Sequence, residues 1–86
     1  MSESDQNRLK RLKMRSWRRG TKEMDMILGP FSDTELVRLN AAQIGLYDTL
    51  LDENDHDLYQ WVTGQVPTPE AYLDLLTDIS KFAFKS

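Results

Sequence analysis

The chain has 86 residues, 40% of them apolar and 29% charged, with no cysteine and a formal net charge of −3. That length supports one domain with a single modest core. The missing cysteines exclude a disulfide framework, a thiolate zinc site and a thiol nucleophile, and no apolar run approaches the ~20 residues that a membrane-spanning helix needs.

The net charge hides a division. Residues 1–22 carry eight basic side chains and two acids, for +6, whereas residues 23–86 carry three basic side chains and twelve acids, for −9. Such polarity makes the N-terminal segment a steering surface for an acidic partner and a brace against the acids of the body. An arginine-rich start also suits an organellar presequence. Glu3 and Asp5 argue against one, and a removable leader would take part of the stretch from Trp17 to Asp25 with it, so Met1 onward is read as the mature protein.

In chain order, residues 4–19 read as a basic first helix. Leu9, Leu12 and Trp17 fall near one face, Ser4 or Asp5 caps the start, and Gly20 takes the left-handed position that stops it. Residues 21–39 follow, with Met24, Ile27 and Leu28 inward. Gly29-Pro30 interrupts this stretch: either one helix bends at Pro30, or a new one starts at Asp33 behind the capping pattern Ser32-Asp33-Thr34-Glu35. Asn40-Ala41-Ala42-Gln43 opens a helix over 41–51 with Ile44, Tyr47, Leu50 and Leu51 as its apolar face. Asp55 caps a short helix over 56–63 that Gly64 ends. Thr68 and Pro69 start the last helix, 69–84, which carries Tyr72, Leu75, Leu76, Ile79, Phe82 and Ala83 inward. No stretch alternates like a strand. The expected fold is all-α, one domain, a compact bundle of about five short helices.

Little in the sequence points to catalysis. His56 is the only histidine and reads as a solvated first-turn residue; no nucleophile elbow or glycine-rich phosphate loop is present. Asp52-Glu53-Asn54-Asp55-His56-Asp57 resembles the start of a calcium loop, but position six is Asp57 where glycine belongs and position twelve is Thr63 where glutamate belongs. Its acids serve instead as helix caps, and no metal ligand set is expected. The basic first helix could hold nucleic acid by salt-dependent phosphate contacts, but the body at −9 repels a polyanion and no second helix offers a base-reading face. That leaves Arg19-Gly20-x-x-Glu23. If Gly20 breaks the helix, both charged side chains flank an exposed backbone that another chain can approach closely, with a guanidinium shaped for a carboxylate. The plainer alternative is a helix corner with a surface ion pair between residues four apart.

Arg18-Arg19-Gly20-Thr21-Lys22-Glu23-Met24-Asp25, followed by Gly29-Pro30-Phe31, resembles the signature of the succinate dehydrogenase assembly (flavinylation) factor family, in its bacterial form. Leu46-Tyr47-x-x-Leu50-Leu51, then Asp52-x-Asn54-Asp55-x-Asp57-Leu58-Tyr59-x-Trp61 and Pro67, agree in order and spacing. The resemblance implies a five-helix bundle in the cytoplasm that is not an enzyme. It implies a partner, the flavoprotein subunit of succinate dehydrogenase or of fumarate reductase, whose FAD becomes covalently attached to one of the partner's own histidines. It places Arg19, Gly20 and Glu23 at the contact, with Arg18 beside them. Met24, Asp25, Phe31, Asp52 and Trp61 are candidate secondary contacts, and the alternative for the acids and aromatics from Asp52 to Trp61 is that they shape the bundle rather than touch the partner. No cofactor is expected on this chain itself; the FAD belongs to the partner. The contrasting reading is a small regulatory or antitoxin-like protein that holds nucleic acid, or another acidic macromolecule, on its basic helix.

Overall fold

Residues 4–84 are described by a computed structural model, and all regular structure among them is helical. Five α-helices follow one another: α1 Asp5–Trp17, α2 Lys22–Glu35, α3 Ala41–Leu50, α4 Asp55–Val62 and α5 Leu73–Ala83. Single 3-10 turns follow α2 (Leu36–Arg38) and precede α5 (Glu70–Tyr72). The central helix is α2, which packs against α1, α4 and α5. Its Met24, Leu28 and Phe31 are buried together with Leu12 of α1, Tyr47 and Leu50 of α3, Leu58 of α4 and Ile79 of α5. Phe31 stacks on Tyr47 at 5.9 Å between ring centroids and meets Phe82 edge-on at 5.8 Å.

Local chemistry explains most helix starts. Ser4, Thr21, Asn40 and Asn54 each accept a backbone N–H of the first turn, and Asn40 with Gln43 forms a reciprocal capping box. Three expectations change. α4 is capped by Asn54, not Asp55, because Asn54 Oδ1 takes the Asp57 N–H at 2.8 Å. Pro69 is not the first residue of an α-helix: it is extended, with ψ at 141°, and leads into the 3-10 turn. Ser32 does not cap a new helix; it is buried and donates to the Gly29 carbonyl at 2.7 Å inside α2.

α2 therefore runs unbroken through Gly29-Pro30. The residue before a proline usually avoids helical angles because its Cβ meets the proline ring, and Gly29 has no Cβ. A second constraint applies at the same glycine. The Trp17 indole lies across α2 there, so that a Cβ on Gly29 would sit 2.5 Å from Trp17 Cε2. Trp17 Nε1 reaches on to the two Asp33 carboxylate oxygens, each at 3.2 Å, and so fastens the end of α1 along a full turn of α2.

Two polar features join α1 to α3. Ser16 and Tyr47 are buried; their hydroxyls lie 2.6 Å apart, and Ser16 also donates to the Leu12 carbonyl at 2.8 Å. Burial pushes the Tyr47 phenol up to about 12, against the opposing hydrogen bond from Ser16. Nearer the surface, Asp48 is shared by Arg8 at 3.5 Å, Arg11 at 2.9 Å and Arg15 at 2.9 Å, and Arg15 also reaches Asp52 at 2.7 Å. The Arg11 hydrogen bond, opposed by partial burial and aided by the nearby arginine charges, holds the Asp48 carboxyl below its usual range. The basic helix does brace the acidic body.

Candidate docking site

The loop between α1 and α2 carries the Arg-Gly-x-x-Glu motif. α1 stops at Trp17, two residues earlier than the sequence suggests, with Arg18 at φ −122° and ψ 51°. Gly20 is not in the left-handed region; among the described residues only Gly64, after α4, has positive φ, at 80°. The helix is ended by side chains that pull the loop elsewhere.

Arg19 does this. Its backbone N–H donates to Asp25 Oδ1 at 2.6 Å, while its side chain turns into the domain. Nε donates to Asp55 Oδ1 at 2.7 Å, Nη1 to the Leu51 carbonyl at 2.7 Å and Nη2 to the Glu53 carbonyl at 2.8 Å. The guanidinium thus satisfies the carbonyls of the α3–α4 connector as well as the carboxylate that opens α4. Both members of the Arg19–Asp55 pair are only 10% exposed. The second oxygen of Asp55 takes the Thr21 N–H at 2.9 Å. With Asn54 acting as the cap, Asp55 is released to hold the loop.

Gly20 is shaped by the same carboxylate. A Cβ there would stand 3.1 Å from Asp55 Oδ2, closer than ordinary contact, so the glycine leaves room for Asp55 to reach both Arg19 and Thr21. The group that comes close at Gly20 is a carboxylate of this same chain, not the second chain that the sequence suggests.

The expected site residues consequently separate. Arg18, Gly20 and Glu23 are exposed together around the loop. Arg19 is not an open fork for a partner carboxylate: it is spent on Asp55 and two carbonyls, and it pairs with Asp55 rather than with Glu23. Met24 and Phe31 are 1% and 2% exposed and belong to the core, which corrects their reading as secondary contacts. Asp25 is half-buried and occupied by the Arg19 N–H. Asp52 is exposed but paired with Arg15, and Trp61 is half-buried with its ring 6.0 Å from that of Tyr72. The sequence reading missed Asp55 as organiser of the loop. Its only signal was the adjacent Asn54, an equally good cap that makes a second one redundant.

Beside the loop, Thr21, Glu23, Asp55, His56 and Tyr59 line a shallow groove of about 290 Å³ between the starts of α2 and α4. Glu23, His56 and Tyr59 are exposed in it. Among the described residues no three histidine or acidic side chains converge to hold a metal ion, and no helix is long and apolar enough to cross a membrane. Beside the locked loop, the surface offers charged and aromatic side chains from the starts of α2 and α4.

Residues 10–83 match the model of the family described as flavinator of succinate dehydrogenase. The chain is 43% identical over 60 residues to a mitochondrial succinate dehydrogenase assembly factor 2 of Aspergillus flavus, covering 70% of this chain and 20% of that protein. It is 38% identical over 68 residues to the Mycosarcoma maydis protein of the same name, covering 79% and 29%. It is 41% identical over 69 residues to assembly factor 2-B, mitochondrial, of Drosophila mojavensis, covering 78% and 44%. The matched segments span less than half the length of these relatives.

Proposed function

The chain belongs to the flavinator of succinate dehydrogenase family, and from that premise we propose that it is an assembly factor that binds the flavoprotein subunit of succinate dehydrogenase and promotes covalent attachment of FAD to a histidine of that subunit. The flavoprotein of fumarate reductase is a second client of the same kind. The factor works in the cytoplasm, holds no cofactor of its own and supplies no reacting atom. The histidine and the flavin belong to the client, and the contribution of this chain is to hold the client in a conformation in which they meet. Positioning of this kind can lower a barrier by several kcal/mol, up to about 7–11 in ideal cases.

The observation that carries the reading is the division of labour within the motif. Arg19 and Asp55 fix the loop from inside, while Arg18 and Glu23 stand outward on either side of Gly20 with no ion pair among the described residues. A loop whose shape is set before the partner arrives loses little freedom on docking.

The test uses the purified flavoprotein subunit, free FAD and this protein, with covalent flavin followed by its fluorescence in denaturing gels. Arg18→Glu and Glu23→Lys should melt like the wild type, since neither residue has an ion-pair partner to lose among the described residues, and should abolish stimulation of flavin attachment. Unchanged stimulation by both variants refutes the proposal.

A further inference from the structure

The outer face of α1 carries a groove of about 450 Å³ that runs to the motif loop. Asn7, Lys10, Arg11, Met14, Arg15 and Arg18 line it. Arg11 and Arg15 are anchored on Asp48, which fixes them as the floor. Lys10 and Arg18 are exposed and form no ion pair among the described residues. Between them stands Met14, 48% exposed. Residues four apart lie on one ridge of a helix, so Lys10, Met14 and Arg18 make a cation–thioether–cation row. At ~1.5 Å per residue the backbone positions of Lys10 and of Arg18, the residue that caps the end of α1, are about 12 Å apart along the axis.

We infer that this groove is a second docking surface, and that its occupant is an acidic peptide segment of the partner with an apolar side chain between two carboxylates. The argument is charge and spacing. Residues 23–86 carry −9, so the Lys10–Arg18 row is where a negatively charged segment can approach without repulsion. In an extended segment alternate side chains share a face, and residues four apart are separated by about 13 Å. Two acids so spaced, with an apolar residue midway, match the row: carboxylates meet Lys10 and Arg18, and the apolar side chain lies on Met14, whose flexible thioether adapts to its shape. Because Arg18 belongs to both surfaces, the acidic segment would enter the groove from the motif loop. A duplex nucleic acid also seeks cations, but its rigid breadth would bring the acids of the body against its phosphates.

The identity of the partner rests on the function proposed above; the chemistry of the groove does not, and the experiment keeps the two apart. A fluorescein-labelled peptide of sequence Ser-Glu-Ser-Leu-Ser-Glu-Ser is titrated into the full chain by anisotropy, and amide shifts are mapped by NMR. Binding that weakens with salt and shifts amides of residues 7–18 are expected. Lys10→Glu and Met14→Glu should each weaken binding roughly tenfold, since like-charge contact is costly, while Lys81→Glu on α5 leaves it unchanged; all three should melt like the wild type. The same variants are then tested against the flavoprotein subunit, where Lys10→Glu should reduce affinity and its salt dependence. Absence of peptide binding, shifts mapping away from α1, or tighter binding of a duplex DNA oligonucleotide at the same amides each overturns the inference. If the flavoprotein binds Lys10→Glu as well as wild type, the groove is not its docking surface while the proposed function stands. If the flavoprotein fails to bind the wild type but the peptide binds the groove, the function fails and the acidic occupant stands.

Discussion

Removing the Asp55 carboxylate should unfasten the loop and cost a large part of the stability of the domain. The side chain makes a 2.7 Å bond to Arg19 Nε and a 2.9 Å bond to the Thr21 N–H, and the ion pair is 10% exposed on both sides. Breaking a buried pair by deleting one partner costs about 3–5 kcal/mol, because the remaining charge stays buried without its counter-ion. A domain of this length has roughly 4–13 kcal/mol in total. Asp55→Ala should therefore lose about 3–5 kcal/mol in urea denaturation followed by circular dichroism, with an unchanged slope. Asp55→Asn keeps the shape and an acceptor and should fall between. Asp52→Ala is the control: Asp52 is 75% exposed in its pair with Arg15, and such pairs are worth about 0–1 kcal/mol. A loss at Asp55 no greater than at Asp52 would refute the claim that the pair holds the loop.

The same logic extends to Gly20. An alanine there puts its Cβ 3.1 Å from Asp55 Oδ2, so Gly20→Ala should destabilise the wild type. In the Asp55→Ala background that contact is gone, and the substitution should become neutral or stabilising by about 0.4–1 kcal/mol, since φ at Gly20 is not positive and alanine narrows the unfolded ensemble. The sign change in this cycle is the specific signature of an internal contact.

Three other outcomes follow from named contacts. Gly29→Ala should displace the Trp17 indole despite the ~1 kcal/mol gain in helix propensity, and tryptophan emission should shift to the red with a lower midpoint; unchanged emission would contradict the packing. Asp48, with its folded pKa lowered, adds stability that is present above its unfolded value near ~3.9 and is lost as pH falls through the folded value, so Asp48→Asn should flatten the acid limb of a stability–pH curve. Tyr47, raised to about 12, keeps its proton in the folded state while the unfolded phenol loses it near ~10, so stability should decline as pH rises from there through the folded value. Tyr47→Phe should remove that decline and cost about 1 kcal/mol at neutral pH, the net worth of a typical buried hydrogen bond.

The fold was largely legible because helices announce themselves through caps and apolar spacing. Asn40 with Gln43, the run from Leu75 through Ile79, and Gly64 all read directly. What escaped depended on tertiary partners. Gly29-Pro30 carries a local signal for a break, and α2 continues because glycine relieves the clash with proline while Trp17 covers the same spot. Met24 reads as inward from its spacing and is core; Phe31 lies within a motif that looks like surface, yet it is core as well, since α2, packed against three helices, has an apolar stripe wide enough to include it. Arg19 looked outward because a guanidinium beside glycine suits a partner, and its true acceptors lie 32 to 36 residues away. No local pattern encodes that distance.

That displacement changes how the motif must be dissected. Arg-Gly-x-x-Glu looks like a single recognition unit, but its first two residues answer to Asp55, and the outward chemistry sits on Arg18 and Glu23. Lost function after substitution at Arg19 or Gly20 is therefore ambiguous, because it reports the shape of the loop together with anything that touches it. The informative contrast is between pairs. If the proposed docking depends on a preformed loop, Arg19→Lys, which keeps the charge but loses the fork that reaches Asp55 and two carbonyls, should lower both stability and client affinity in step. Arg18→Glu and Glu23→Lys should lower affinity alone. A loss of affinity in Arg19→Lys with unaltered stability would mean that the guanidinium leaves its internal partners to meet the client, and the locked-loop account would fail.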